Sequence, residues 1–233
     1  MKCTMRRPGG GPTRAGRMSA WVLMGSLLGV GPIASTAVQA AEPPSFAEDF
    51  TGVAPGKVPD RFLVLDGQFS VKEEGGNRFL ELAGAPLESF GAMFGPAAKE
   101  DWGAEARFFA TGQGRRFPVF GVSVNGVAGY RAVVSPAKKA VEILKGDAVV
   151  ASTPFVWESG SWTRVRVQLR KTGGSAWKVE AKAWKDGTPE PNAWSVSWDE
   201  AEAPVAGRAA VWGAPFSGTP IRFDDLRVRA LAP

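Results

Sequence analysis

The chain has 233 residues, with 28 Lys and Arg against 23 Asp and Glu, no histidine and one cysteine. Without histidine, and with a lone cysteine, Ser-His-Asp and Cys-His catalysis and zinc sites built from His and Cys are excluded. The basic excess lies wholly in Lys2, Arg6, Arg7, Arg14 and Arg17, so residues 41–233 carry equal numbers of each sign and lack the basic balance of a nucleic-acid footprint or a polybasic membrane surface.

Residues 1–40 are expected to be a secretory signal peptide. A basic start leads into the apolar run Met18–Val30, and Ala37-Val-Gln-Ala40 supplies small residues for a cleavage site. Gly25, Gly29, Gly31 and Pro32 interrupt the run and leave it short of the roughly 20 residues a spanning helix needs, so no stable membrane insertion is expected. The remainder, 41–233, is expected to be one exported domain, in the periplasm, at the cell surface or in the medium. Cleavage after Ala40 would remove Cys3, leaving core burial rather than disulfides to hold the fold.

From Phe46 onward the chain alternates or runs apolar over short stretches divided by turn residues, which predicts strands. The expected strands are Arg61–Asp66, Gln68–Lys72, Phe79–Leu82, Ser89–Phe94, Ala104–Ala110, Val119–Val124 and Tyr130–Val134. They continue with Val141–Lys145, Val149–Thr153, Thr163–Arg170, Trp177–Trp184, Trp194–Trp198, Ala209–Trp212 and Ile221–Arg229. Between them stand Asp66-Gly67, Glu74-Gly-Gly-Asn77, Asn125-Gly126, Gly146-Asp147, Gly173-Gly174 and Asp186-Gly187, where positive φ is tolerated and hairpins are favoured. In Trp162–Arg170, Thr163, Val165, Val167 and Leu169 oppose Arg164, Arg166, Gln168 and Arg170. In Trp177–Trp184, Val179, Ala181 and Ala183 oppose Lys178, Glu180, Lys182 and Trp184. One packed face and one wet face per strand predicts an all-β, two-sheet antiparallel jelly-roll sandwich.

Four phrases carry a family resemblance. They are Glu48-Asp-Phe-Thr-Gly52 with Gly56-Lys-Val-Pro-Asp60; Asp66-Gly-Gln-Phe-Ser-Val71; Ala181-Lys-Ala-Trp-Lys-Asp-Gly-Thr-Pro-Glu-Pro-Asn-Ala-Trp194; and Gly207-Arg-Ala-Ala-Val-Trp-Gly213 running into Phe223-Asp-Asp-Leu-Arg-Val228. Over nearly all of Phe46–Val228 the chain resembles the concanavalin A-like (laminin-G-like) jelly rolls of bacterial secreted proteins, close to the 3-keto-disaccharide hydrolase-like group. Phe69 stands where those domains usually carry tryptophan. The resemblance implies the sandwich fold, and leaves activity open among lectins, adhesion modules, binding modules and glycosidases.

The chemistry open to the chain rests on carboxylates, Lys, Arg and aromatics. A glycosidase needs two converging carboxylates; the Glu-x-Asp-x-x-Glu strand of sandwich glucanases is absent, and Glu180 is the one catalytic candidate, with Glu105 and Glu142 in similar strand positions. All three also suit an exposed salt-bridge row. Trp198-Asp-Glu-Ala-Glu202 reads as a solvated loop, and Trp194, Trp198 and Trp212 read as core. If neighbouring strands align, Arg164, Arg166, Gln168, Glu180, Lys182 and Trp184 form one polar-aromatic patch suited to carbohydrate. Asp49 with Asp224 and Asp225 would suit a structural calcium ion if first and last strands are neighbours, as the resemblance implies; no other cofactor is expected. The favoured expectation is an exported carbohydrate-recognition module. The alternatives are a glycoside hydrolase using Glu180 and a structural or protein-binding envelope module.

Overall fold

The computed structural model describes residues 45–85 and 88–232; the signal-peptide expectation and Cys3 lie outside them. Among the described residues fifteen strands follow one another: β1 (Phe46–Glu48), β2 (Leu63–Asp66), β3 (Phe69–Glu74), β4 (Asn77–Leu82), β5 (Phe90–Ala98), β6 (Trp102–Phe109), β7 (Val119–Val124) and β8 (Tyr130–Ser135). After a 3-10 turn, Pro136–Lys138, come β9 (Ala140–Lys145), β10 (Ala148–Pro154), β11 (Trp162–Gly173), β12 (Ala176–Lys185), β13 (Val196–Glu200), β14 (Gly207–Ala214) and β15 (Ile221–Ala230). Each expected strand has its counterpart. The strand missed is β1, whose three residues are too few to show a period of two. Among the described residues no helix is long and apolar enough to cross a membrane.

The strands form two antiparallel sheets. Sheet A runs β13-β12-β11-β6-β15-β4-β3 with β1 paired to β15, and sheet B runs β10-β9-β8-β7-β14-β5-β2. First and last strands are therefore neighbours, Glu48 standing opposite Leu226. Turn chemistry sets several registers. Glu74 pairs with Asn77, leaving a two-residue connection, Gly75-Gly76, with φ of 60° and 80°. Positive φ at both central positions is the turn whose twist matches the flanking strands, and glycine adopts it at no steric cost.

The core lies between the inner faces. Val165, Val167 and Leu169 of β11, Val179 and Ala181 of β12, and Phe108 and Phe223 face Phe120, Val122, Ala132 and Ile143 from sheet B, all essentially buried. Phe108 stacks on Phe120 with centroids 5.1 Å apart, and Phe223 meets Phe108 edge-on at 5.5 Å. Phe50, Phe62 and Phe94 close one end. This apolar filling holds the sheets together and leaves two outer faces on which function can sit.

Trp198 packs against the core, as expected, but Trp194 does not: it is half-buried just ahead of β13, with the Lys182 ammonium 4.6 Å from its ring centroid. Two other expectations are corrected. Trp212 is not core: Ala209 and Val211 take the inward positions of β14, so Trp212 projects outward and is half-buried. Trp198–Glu200 is strand rather than solvated loop, because it hydrogen-bonds along β12 and turns Glu200 inward. Glu200 is 3% exposed, and the Tyr130 hydroxyl donates to it at 2.7 Å.

Candidate functional site

The outer face of sheet A brings the six expected patch residues together. Arg164 stands opposite Trp184, Arg166 opposite Lys182 and Gln168 opposite Glu180. On the other flank of β11, Arg164 meets Arg107 and Arg166 meets Glu105. The face is nonetheless far less open than alternation implies: Trp184, Lys182 and Glu180 are 6%, 5% and 8% exposed. The segment between β12 and β13 folds back across it. Glu190 pairs with Arg166 at 2.5 Å and Lys182 at 2.7 Å, and Lys182 also donates to the Pro191 carbonyl.

The charges there mostly satisfy one another. Arg164 reaches Asp186 at 2.5 Å, Asp225 at 2.7 Å and Glu105 at 3.1 Å. Arg107 reaches Asp224 at 2.5 Å, Asp225 and Asp186, and its guanidinium lies 4.6 Å from the Trp162 ring centroid. Burial alone would lower the Arg164 pKa and raise that of Asp186, but their mutual contact holds arginine above and aspartate below their ordinary values. Burial pushes the Asp224 carboxyl up, against the opposing pull of Arg107 and Asn77. Glu180 accepts from Gln168 at 2.7 Å and Arg170 at 2.9 Å. Glu105 and Glu142, also expected in exposed salt-bridge rows, are 5% exposed each: Glu105 is held by Arg164 and Arg166, Glu142 by Ser135 and Lys138.

The three aspartates proposed for calcium do not form one ligand set. A bulge between Asp224 and Arg227, with Asp225 at φ 50°, puts two successive carboxylates on the Arg107–Arg164 side. Asp49 instead accepts from the Thr51 backbone N–H at 3.0 Å. Among the described residues no group of three His, Cys, Asp or Glu converges as a metal site.

The outer face of sheet B offers a different arrangement, which the sequence reading missed. Trp212 is flanked across both neighbouring strands by glycine, Gly91 on β5 and Gly121 on β7. A Cβ at Gly91 would lie 2.8 Å from the indole, so the ring lies directly over bare backbone. Its Nε1 donates to Ser123 Oγ at 2.8 Å. Arg131 reaches across from β8, its guanidinium 4.4 Å from the indole centroid, held by the Gly146 carbonyl and Asp147 at 3.1 Å each. Beside this stack is an open concavity of about 200 Å³, lined by Trp212, Arg131, Gly121, Val133, Leu144 and Asp147 among others. The available signal was the alternation Arg208, Ala210, Trp212; alanines on both faces of β14 hid which side was inward.

No protein-family model matches the sequence, and no curated protein matches it. Among solved structures the chain is similar to the carbohydrate binding module CBM66 from Bacillus subtilis, at 11% identity over 73% of this chain and 96% of that one, with a TM-score of 0.50. It is similar to the Emp47p carbohydrate recognition domain, at 12% identity over 80% and 95%, TM-score 0.51. It also resembles part of a xylan beta-1,4-xylosidase from Bacillus halodurans C-125, at 14% identity over 81% of this chain but 40% of that one, TM-score 0.53. At such identities the likeness is one of fold: this is a jelly-roll β-sandwich.

Proposed function

We propose that this sandwich recognises carbohydrate, through the Trp212–Arg131 concavity on sheet B. The observation that carries the reading is an outward indole fixed at both ends, by Ser123 and by Arg131, beside an open hollow. Sugar rings present apolar C–H faces and hydroxyl edges; Trp212, Val133 and Leu144 suit the former, and Arg131 and Asp147 suit the latter. The hollow is smaller than the roughly 300–1,000 Å³ of drug-sized sites and suits one or two sugar units, bound in shallow fashion. The solved structures named as a carbohydrate binding module and a carbohydrate recognition domain support the same class of ligand at the level of fold. The signal-peptide character of residues 1–40 supports placing this recognition outside the cytoplasm.

A hydrolytic role, which the resemblance to the 3-keto-disaccharide hydrolase-like group would imply, needs a free carboxylate pair, whereas Glu180 is bracketed by Gln168 and Arg170. The test is a glycan array with the purified protein. Selective binding to a neutral saccharide class, weakened at least about tenfold by Trp212→Ala, which is roughly 1.4 kcal/mol, is the expected result. A blank array from folded protein, or binding indifferent to Trp212→Ala, overturns it.

A further inference from the structure

Sheet A contains a second feature, independent of the Trp212 face. Seven arginines project from its outer face. Arg107, Arg164, Arg166, Arg170 and Arg222 each have a carboxylate within ion-pair distance. Arg227 and Arg229, both half-buried on β15, have none among the described residues, and the Arg229 Nε is buried without a hydrogen-bond partner. A guanidinium stays charged at any pH relevant to a protein, so partial burial beside like charge is a cost that an anion would relieve.

The register shows where such an anion would sit. One cross-strand row reads Arg166, Glu105, Arg227, and the next reads Gln168, Gly103, Arg229. Strands lie about 4.8 Å apart, so the missing side chain at Gly103 leaves a notch between the Gln168 amide and the Arg229 guanidinium. Gly103 is itself required by the close approach of β11, because a Cβ there would lie 2.8 Å from the Val167 carbonyl oxygen. Around the notch, Lys182, Arg166, Arg170, Arg227 and Arg229 face Glu105, Glu180 and Glu190, an excess of two positive charges that corresponds to the two unpaired arginines. Burial, followed by the neighbouring charge of Arg166, pulls the Arg229 pKa down, as expected of a cation short of partners. Gln168 also lines a hollow of about 660 Å³, which continues through Asp101, Arg170, Lys171, Thr172 and Leu231, a size within the usual range for small-ligand sites.

We propose that Arg227 and Arg229, with Arg166 and Gln168, form an oxyanion site over Gly103, and that the oxyanion is the carboxylate or sulfate of an acidic saccharide whose ring occupies the adjoining hollow. That a saccharide carries the oxyanion rests on the carbohydrate reading above; the oxyanion site does not. Arginine suits the task, since its planar fork meets a carboxylate or sulfate with paired hydrogen bonds.

The experiment is a calorimetric titration of the full chain with inorganic sulfate, an oligogalacturonate, a sulfated glycosaminoglycan oligosaccharide and a neutral oligosaccharide of matched length. At low ionic strength, one of the two acidic oligosaccharides is expected to bind at least about tenfold more tightly than the neutral one. That binding should weaken as salt screens it, and fall about tenfold or more in Arg229→Gln. The oligogalacturonate and sulfated arms decide between carboxylate and sulfate. Arg227→Gln, on the neighbouring row, reads the same site if Arg229→Gln fails to fold. Sulfate binding that depends on Arg229, with no acidic saccharide bound, would sustain the oxyanion site and overturn the saccharide. Failure of every anion to bind folded protein, or equal binding by wild type and both arginine variants, overturns the site itself. A failure of neutral binding to respond to Trp212→Ala would count against the sheet B reading alone.

Discussion

Trp184 and Trp212 show how the same alternation argument succeeds and fails at a single residue. Each was assigned a side of its strand by its neighbours. Trp184 does face the outer side of β12, opposite Arg164, yet it is buried, because a strand's two sides say nothing about what a later loop lays over them. Trp212 was placed inward among alanines and faces out. The Tyr130–Glu200 pair adds a residue-scale prediction. Burial alone would raise the Glu200 carboxyl, but the Tyr130 hydroxyl, the Glu202 backbone N–H and Lys145 hold it below its ordinary value. Tyr130→Phe removes a hydrogen bond to a buried charged acceptor, worth about 1.5–3 kcal/mol. Urea denaturation should show a lower midpoint with an unchanged slope; an unchanged midpoint would show that Lys145 and the Glu202 N–H suffice.

At the scale of elements, β12 and the segment after it act as a unit. Asp186 follows β12 directly and pairs with Arg164 and Arg107, while Glu190 pairs with Arg166 and Lys182. Both carboxyls sit below their ordinary values of 3.8 and 4.5, burial being outweighed by their cationic partners. A depressed carboxyl contributes stability that is fully present above its unfolded value and is lost as pH falls through its folded value. The clamp should therefore weaken below about pH 4.5, while Asp224, raised by burial, works in the opposite sense. Glu190→Gln should make the fall of unfolding free energy between about pH 5 and pH 3 shallower than in wild type. Equal slopes in the two proteins would mean that Glu190 does not hold the segment down. The alternation of residues along β11 and β12 locates both strands and their charged faces, but no period links Glu190 to Arg166, so the cover leaves no mark in the sequence.

For the whole molecule, the governing fact is that β6, near the middle of the chain, pairs with β11 on one flank and β15 on the other, and that β1 pairs with β15. Such connections close long loops before their contacts form, which slows folding. Refolding monitored by tryptophan fluorescence should relax in milliseconds to seconds, as for all-β sandwiches; a microsecond phase accounting for the full amplitude would contradict that expectation. The strand pattern, the antiparallel sandwich, the sidedness of β11 and β12 and the exclusion of histidine and disulfide chemistry were determined by the sequence alone, because a period of two and the presence or absence of a residue type are local properties. Which outward side chains stay open, which carboxylate neutralises which arginine, and that Arg227 and Arg229 find none among the described residues were decided only by tertiary structure. Those outcomes depend on register and on loops folding over sheets, and bring together residues more than a hundred positions apart, such as Arg107 and Asp224.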